Sequence, residues 1–223
     1  MAIREFTELG SGIKIALRDL EVRGAGNLLG AEQHGQMDVI GYELYCRLLD
    51  EEIKILRDGG DEALEITSTA SVELDFDSYI PGDYIEDESS RMIAYRRISA
   101  IMDNKDYDDF MDEILDRYGE PPREIIVLMT VSLIRSLATC LGFEKVVVKE
   151  DKVLFYYSSD KKIDMKAISV LLSTPEFDGK ILLNAGGKPY LHFMPIGIKS
   201  KDVLPKCREL LTILSEASEK DKK

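Results

Sequence analysis

The sequence predicts an α+β protein: an N-terminal helical hairpin and a long helix, then a compact mixed α/β domain with antiparallel hairpin strands. Three observations lead there. Apolar residues recur at helical spacing over residues 11–56 and again over residues 88–141. Runs rich in β-branched and aromatic residues gather after Gly142, in pairs separated by turn residues. A polar stretch, residues 58–70, stands between the first helical region and everything after it. Helices grouped ahead of hairpin strands indicate α+β order rather than the strand-helix alternation of a doubly wound sheet.

Residues 1–57 read as one unit. Ser11 is placed to cap a helix with Ile13, Ala16, Leu17 and Leu20 on one face. Asp19 and Arg23 stand i,i+4 on another face, where opposite charges pair. Gly24, free to take a positive φ, ends that helix. Residues 27–29 leave room for one short turn before Gly30, and a glycine-spaced loop follows with Gln33, His34 and Gly35. Gly24 and Gly26 do not make a dinucleotide fingerprint. The third glycine comes one place late, at Gly30, and a charged amphipathic helix precedes them where a buried strand is required. Leu44, Leu48, Ile53 and Leu56 then give a helix of several turns, closed by Asp58-Gly-Gly-Asp61. Residues 58–70 are polar and small and read as a linker and the main domain boundary.

Residues 71–223 read as the second domain. Val72, Leu74 and Phe76 alternate with polar residues, which predicts a half-buried strand over 71–77. Pro81-Gly82 is a turn. A helix over 88–102 would bury Met92, Tyr95, Ile98 and Met102, with Glu86, Asp87 and Glu88 at its N-terminus, where the helix dipole favours acids. A second over 106–118 would bury Phe110, Met111, Ile114 and Leu115, with Gly119 just past its end. Pro121-Pro122 opens a third, apolar almost all round over 125–141 and therefore central. Residues 143–149 and 152–157 predict a hairpin about Glu150-Asp151. Asp164 caps a helix to about 173; residues 180–183 and 190–194 are two further strands. Ser200 caps a last helix with Val203, Cys207, Leu210 and Leu214 in one stripe.

Charge divides the chain more sharply than composition does. The formal net charge is −13, which argues against a generic nucleic-acid surface. Residues 61–120 hold 18 acidic and 5 basic residues, so that segment alone accounts for the whole excess. Such a surface repels DNA and suits a basic protein partner. Cys46, Cys140 and Cys207 lie far apart in apolar helical patterns and read as reduced, packed thiols of a cytoplasmic protein. No apolar run reaches membrane-spanning length, the N-terminus has no signal-peptide core, and the histidines and cysteines lack zinc-ligand spacing.

One stretch carries a resemblance. Arg18-Asp-Leu-Glu-x-Arg-Gly-x-Gly-x-Leu-Leu-Gly-x-x-Gln-x-Gly35 resembles the translocation motif of RecG-type helicases. With the flanking Phe6-Thr-Glu-Leu-Gly-Ser-Gly-Ile13 and Ile40-Gly-Tyr-Glu-Leu-Tyr45 it is closer to bacterial transcription-repair coupling factors. The likeness is dense over residues 2–57 and continues more loosely through Arg91-x-x-x-Tyr-Arg-Arg-Ile98 and Asp116-Arg-Tyr-Gly119-x-x-Pro122. It implies the C-terminal end of such a protein, with residues 2–6 reading as mid-chain sequence.

The resemblance also implies roles. The motif (Arg18, Asp19, Arg23, Gly24, Gly26, Gly30, Gln33 and Gly35) would couple ATP hydrolysis in an upstream motor to stepping along double-stranded DNA. Arg23 would hold a motor carboxylate or carbonyl bidentately, and Gln33 would exchange hydrogen bonds as its loop moves. The parent would use ATP and Mg, displace stalled RNA polymerase and recruit the excision-repair damage-recognition ATPase. The C-terminal domain would clamp an N-terminal repair-protein-like module, with Glu113 and Asp116, i,i+3 on one helix, as the clamping carboxylates. Two alternatives stay open: a non-enzymatic interaction module docking a basic partner through an acidic face, and a RecG-type branch-migration helicase.

Other candidates carry less. The sequence has no Gly-x-x-x-x-Gly-Lys-Ser/Thr loop to cradle phosphates, so no cofactor or metal is expected in this chain, and the resemblance implies that the ATP site lies upstream. The pairs Asp108-Asp109 and Glu51-Glu52 read as solvated helix faces. His192 reads as a packed strand residue, and Tyr156-Tyr157 lacks the Arg/Gly context of a base-stacking sheet.

Overall fold

The computed structural model describes residues 69–74, 79–159 and 163–219. Their order is β1 (Ser71–Glu73), α1 (Glu88–Ser99), α2 (Asn104–Tyr118), α3 (Arg123–Cys140), β2 (Phe143–Val148), β3 (Val153–Tyr157), α4 (Met165–Leu172), β4 (Ile181–Asn184), β5 (Tyr190–Phe193) and α5 (Ser200–Glu219). The fold is α+β. One mixed sheet runs β1-β2-β3-β5-β4, antiparallel throughout except that β1 lies parallel to β2.

That one parallel pair has a topological cause. β1 and β2 are joined by three helices, a connection long enough to bring the chain back in the same direction. The hairpins β2–β3 and β4–β5 are joined by short turns and are antiparallel, as their turn residues predict. A shift of register between Phe143 and Lys145 lets Phe143 share the buried face with Val146 and Val148 despite the odd spacing. There its ring packs 4.3 Å from Tyr157 and 5.5 Å from Phe155, centroid to centroid.

Helix α3 is the axis of the core. Eleven of its 18 residues are buried, as its nearly continuous apolar sequence requires. It packs against α5, β2 and β1. On α5 the stripe Val203, Cys207, Leu210 and Leu214 is buried, joined by Leu204 and Leu211. Burial of Cys207 pushes its thiol well above the ordinary range and leaves it inert. Each such large side chain withdrawn from water contributes about 1.5–3 kcal/mol.

Hydroxyls on α3 fasten the segments that cross it. Ser132 Oγ donates to the Ile98 carbonyl (2.7 Å) and Ser136 Oγ to the Met102 carbonyl (3.0 Å). Thr139 Oγ1 accepts from the Ala70 amide (2.9 Å). Ala70 and Val72 are buried, so the folded unit takes in at least the last residues of the sequence-predicted linker.

Several expectations change. Of the strand predicted over 71–77, Ser71–Glu73 is in the ladder among the described residues; Leu74 is buried just beyond it, and residues 75–77 lie outside the described residues. Helix α1 stops at Ser99 with Ala100 as its C-cap, so the helical repeat fails beyond Ile98. Ile101 enters the core, and Met102 is 60% exposed. On α2 the buried row is Tyr107, Phe110 and Ile114. Leu115, expected in the core, sits about 100° round the helix from Ile114 and is 44% exposed. Cys140, the last residue of α3, is exposed, not packed. Ser200 already belongs to α5, and its hydroxyl donates to the Glu150 carboxylate (3.3 Å).

Candidate functional site

The sequence singles out two groups of residues. The translocation-motif group lies outside the described residues: Arg18, Asp19, Arg23, Gly24, Gly26, Gly30, Gln33 and Gly35. Glu113 and Asp116 lie on α2, whose construction decides what they face.

Helix α2 is set by its ends and by its buried row. The Asp103 carboxylate accepts from the Asp106 amide (2.9 Å), and the Asp106 carboxylate accepts from the Met102 amide (3.0 Å). These acids at the N-terminal end also suit the helix dipole. Gly119, at φ 81° and ψ −161°, takes a positive-φ conformation that residues with a side chain avoid, and the helix ends there. Tyr107, Phe110 and Ile114 dock inward, which turns Asp108, Asp109, Asp112 and Asp116 outward.

Two arginines from distant sequence fix the flanks. Arg208 of α5 lies 3.9 Å over the Tyr107 ring, donates Nε to Asn104 Oδ1 (2.7 Å) and pairs with Asp108 (3.2 Å). Asn104 in turn donates to Thr212 Oγ1 (2.9 Å), so α2 and α5 are joined along one seam. Arg97 of α1 pairs with Glu113 Oε2 (3.0 Å) while Arg117 takes Oε1 (3.1 Å). Glu113 is therefore a bridging carboxylate between two helices. Asp116 is exposed, and no hydrogen bond or ion pair engages its carboxylate among the described residues.

Sequence reading placed both acids on the exposed part of the helix but missed Arg97 and Arg208. Arg97 stands in the run Arg91-x-x-x-Tyr-Arg-Arg-Ile98, yet nothing in helical spacing says that it reaches the next helix. Arg208 lies a hundred positions from its partners.

The remaining candidates are structural in character. His192 sits on β5 between Leu154 and Leu182 in the cross-strand row, half-buried. Tyr156 packs 5.7 Å from Tyr190, while Tyr157 is buried beneath. Asp108 is engaged by Arg208, as above. A cavity of about 170 Å³ beside Ser132, Ser136, Thr139 and Cys140 is below the roughly 300–1,000 Å³ of small-molecule pockets. No helix among the described residues is long and apolar enough to cross a membrane.

Residues 74–168, which include all of α2, match the family model of the TRCF domain. Over 200 residues, 90% of this chain, the sequence is 36% identical to the transcription-repair-coupling factor of Bacillus subtilis strain 168. The chain belongs to the transcription-repair coupling factor family. The corresponding protein of Staphylococcus aureus strain USA300 is 34% identical over 199 residues, 89% of this chain. This chain spans only 16% of the length of either relative. A crystal structure of the C-terminal domain of transcription-repair coupling factor has the same fold, with a TM-score of 0.58 at 21% identity. It covers 69% of this chain and 96% of that one. The described residues thus share the fold of that C-terminal domain.

Proposed function

We propose that this chain is the C-terminal part of an ATP-dependent double-stranded DNA translocase that displaces stalled RNA polymerase and recruits nucleotide excision repair. In this reading residues 1–57 end the motor and carry the translocation motif, with Arg23 and Gln33 as its moving contacts. Residues 71–223 regulate it. ATP and Mg are held by the parent's motor upstream, and the working compartment is the cytoplasm. The observation that carries the reading is the 36% identity over 90% of the chain, which extends beyond the TRCF domain on both sides.

The regulatory part works by docking. Helix α2 clamps the parent's N-terminal repair-protein-like module and so covers the surface that recruits the excision-repair ATPase. Asp116 presents a solvent-open carboxylate to a cationic side chain. Glu113 joins from the edge of the same face, already shared with Arg97 and Arg117. Exposed pairs of that kind are worth only about 0–1 kcal/mol. An incoming arginine can therefore compete for Glu113 at small cost.

The test is a titration of the full chain with the N-terminal module. Glu113→Lys with Asp116→Lys is expected to weaken binding at least about tenfold and flatten its salt dependence, since breaking a desolvated interfacial charge pair costs about 2–5 kcal/mol. Unchanged affinity rejects α2 as the clamp.

A further inference from the structure

We infer that the cavity between the ends of α1 and α3 is the seat of the Ile66 side chain, and that this contact pins the chain's entry into β1. The seat lies wholly within the described residues, and its occupant is the segment of this chain just before them. The inference stands independently of the clamp.

The lining says what the cavity takes. It measures about 170 Å³, and Ile101, Met102 and Cys140 give it an apolar wall. The hydroxyls of the surrounding helices have already donated their protons to carbonyls. Ser99 Oγ donates to that of Arg96 (2.9 Å) and Thr139 Oγ1 to that of Arg135 (2.7 Å), while Ser132 and Ser136 hold those of Ile98 and Met102. A polar ligand would find no hydroxyl donor there, so an apolar group fits best. A cavity of about 150 Å³ holds one benzene ring, so this space suits a single large apolar side chain. Met102 is largely exposed beside it, which leaves apolar surface open to water.

Position and phase then select the occupant. Thr69, the first described residue, itself lines the cavity, so the chain arrives at its mouth. The bond from the Ala70 amide to Thr139 Oγ1 fixes that path. Ala70, Val72 and Leu74 are the buried members of an alternating run with polar residues between them. Carried back, the same alternation takes in Ser68, Ile66 and Leu64, with Glu65 and Thr67 on the opposite side. Ile66 is the first large apolar residue upstream in that phase. Three residues extend at most about 10–11 Å, so Ile66 must lie within that distance of Thr69. Leu64 has the same phase but stands two residues further from the mouth. With Ile66 seated, the tether to residues 1–57 shortens to residues 58–65, at most about 26–29 Å. A pull on that tether bears on the joint between α1 and α2, because Ile101 and Met102 form the joint and the Asp106 carboxylate of α2 holds the Met102 amide.

The thiol of Cys140 reports whether the seat is filled. The full chain is prepared with Cys46→Ser, which leaves Cys140 as the reactive thiol and the buried Cys207 as a check on the core. Maleimide labelling of Cys140, followed by mass spectrometry, is expected to speed up about tenfold with Ile66→Ser. Leu64→Ser and Thr67→Ala are expected to change it less than about twofold, with Cys207 unlabelled throughout. A second measurement does not depend on a destabilising change. In the same background Ile66→Cys is expected to form a disulfide with Cys140 under mild oxidation, and Thr67→Cys is not, because the bond requires Cα atoms about 4.4–6.8 Å apart. Labelling no faster in Ile66→Ser than in its parent, or equal cross-linking from positions 66 and 67, overturns the inference. A tenfold effect from Leu64→Ser with none from Ile66→Ser likewise overturns Ile66 as the occupant.

Discussion

Replacing Arg208 by Ala tests whether the C-terminal helix holds the candidate docking helix in place. The guanidinium stacks 3.9 Å over Tyr107 and is one-quarter exposed. A partly desolvated cation–π contact is worth about 1–2 kcal/mol. The hydrogen bond to Asn104 involves a charged donor and is worth about 1.5 kcal/mol or more. The pair with Asp108, whose carboxylate is largely exposed, adds about 0–1 kcal/mol. These contacts share one side chain and do not add. Asn104 also keeps its bond to Thr212 after the change. The expected loss is therefore about 2 kcal/mol, not the sum of the parts. Urea denaturation followed by circular dichroism should show the midpoint falling by about 1 M with an unchanged slope. Arg208→Lys keeps the charge but loses the planar stack and the fork, so it should recover less than half. A midpoint shift below about 0.2 M for the alanine variant would refute the seam between α2 and α5 as an energetic contact.

Two further outcomes follow from the same structure. Asp164 caps α4 by accepting from the Ala167 and Lys166 amides, and Ser218 of α5 donates to its other oxygen; the Ala167 amide is the main cause of its lowered pKa. A carboxylate lowered in the folded state contributes stability that is present above its unfolded pKa, about 3.9, and is lost as pH falls through the folded value. Asp164→Ala should cost about 1 kcal/mol at neutral pH, and that difference should shrink in acid melts, whereas a pH-independent difference would contradict the cap. A fragment starting at Thr69 should melt cooperatively, and one starting at residue 75 should be less stable by about 3 kcal/mol, because it loses buried Ala70 and Val72; equal melts would show that β1 is dispensable.

Local chemistry made much of this fold legible in the sequence. The all-apolar run of α3, the hairpin about Glu150-Asp151, the Asp164 cap and the Gly119 terminus each depend on neighbours a few residues away. What was not legible depends on the third dimension. β1 lies parallel beside β2 only because three intervening helices return the chain there. Met102 and Leu115 both follow the helical repeat on paper. One lies past a helix end that the Ser132–Ile98 bond helps define, and the other flanks a buried row started by Tyr107. The acidic surface was readable as composition, but not which acids are free to act. That depends on Arg97 and Arg208 arriving from other helices.

The most direct measurement of the proposed clamp is a competition in trans. The parent's N-terminal module is bound to its excision-repair partner, and this chain is added at rising concentration. The account predicts that the chain displaces the partner, that added salt weakens the displacement, and that the Glu113→Lys, Asp116→Lys chain fails to displace it. Partner binding that is indifferent to the chain would contradict the claim that α2 covers the recruiting surface.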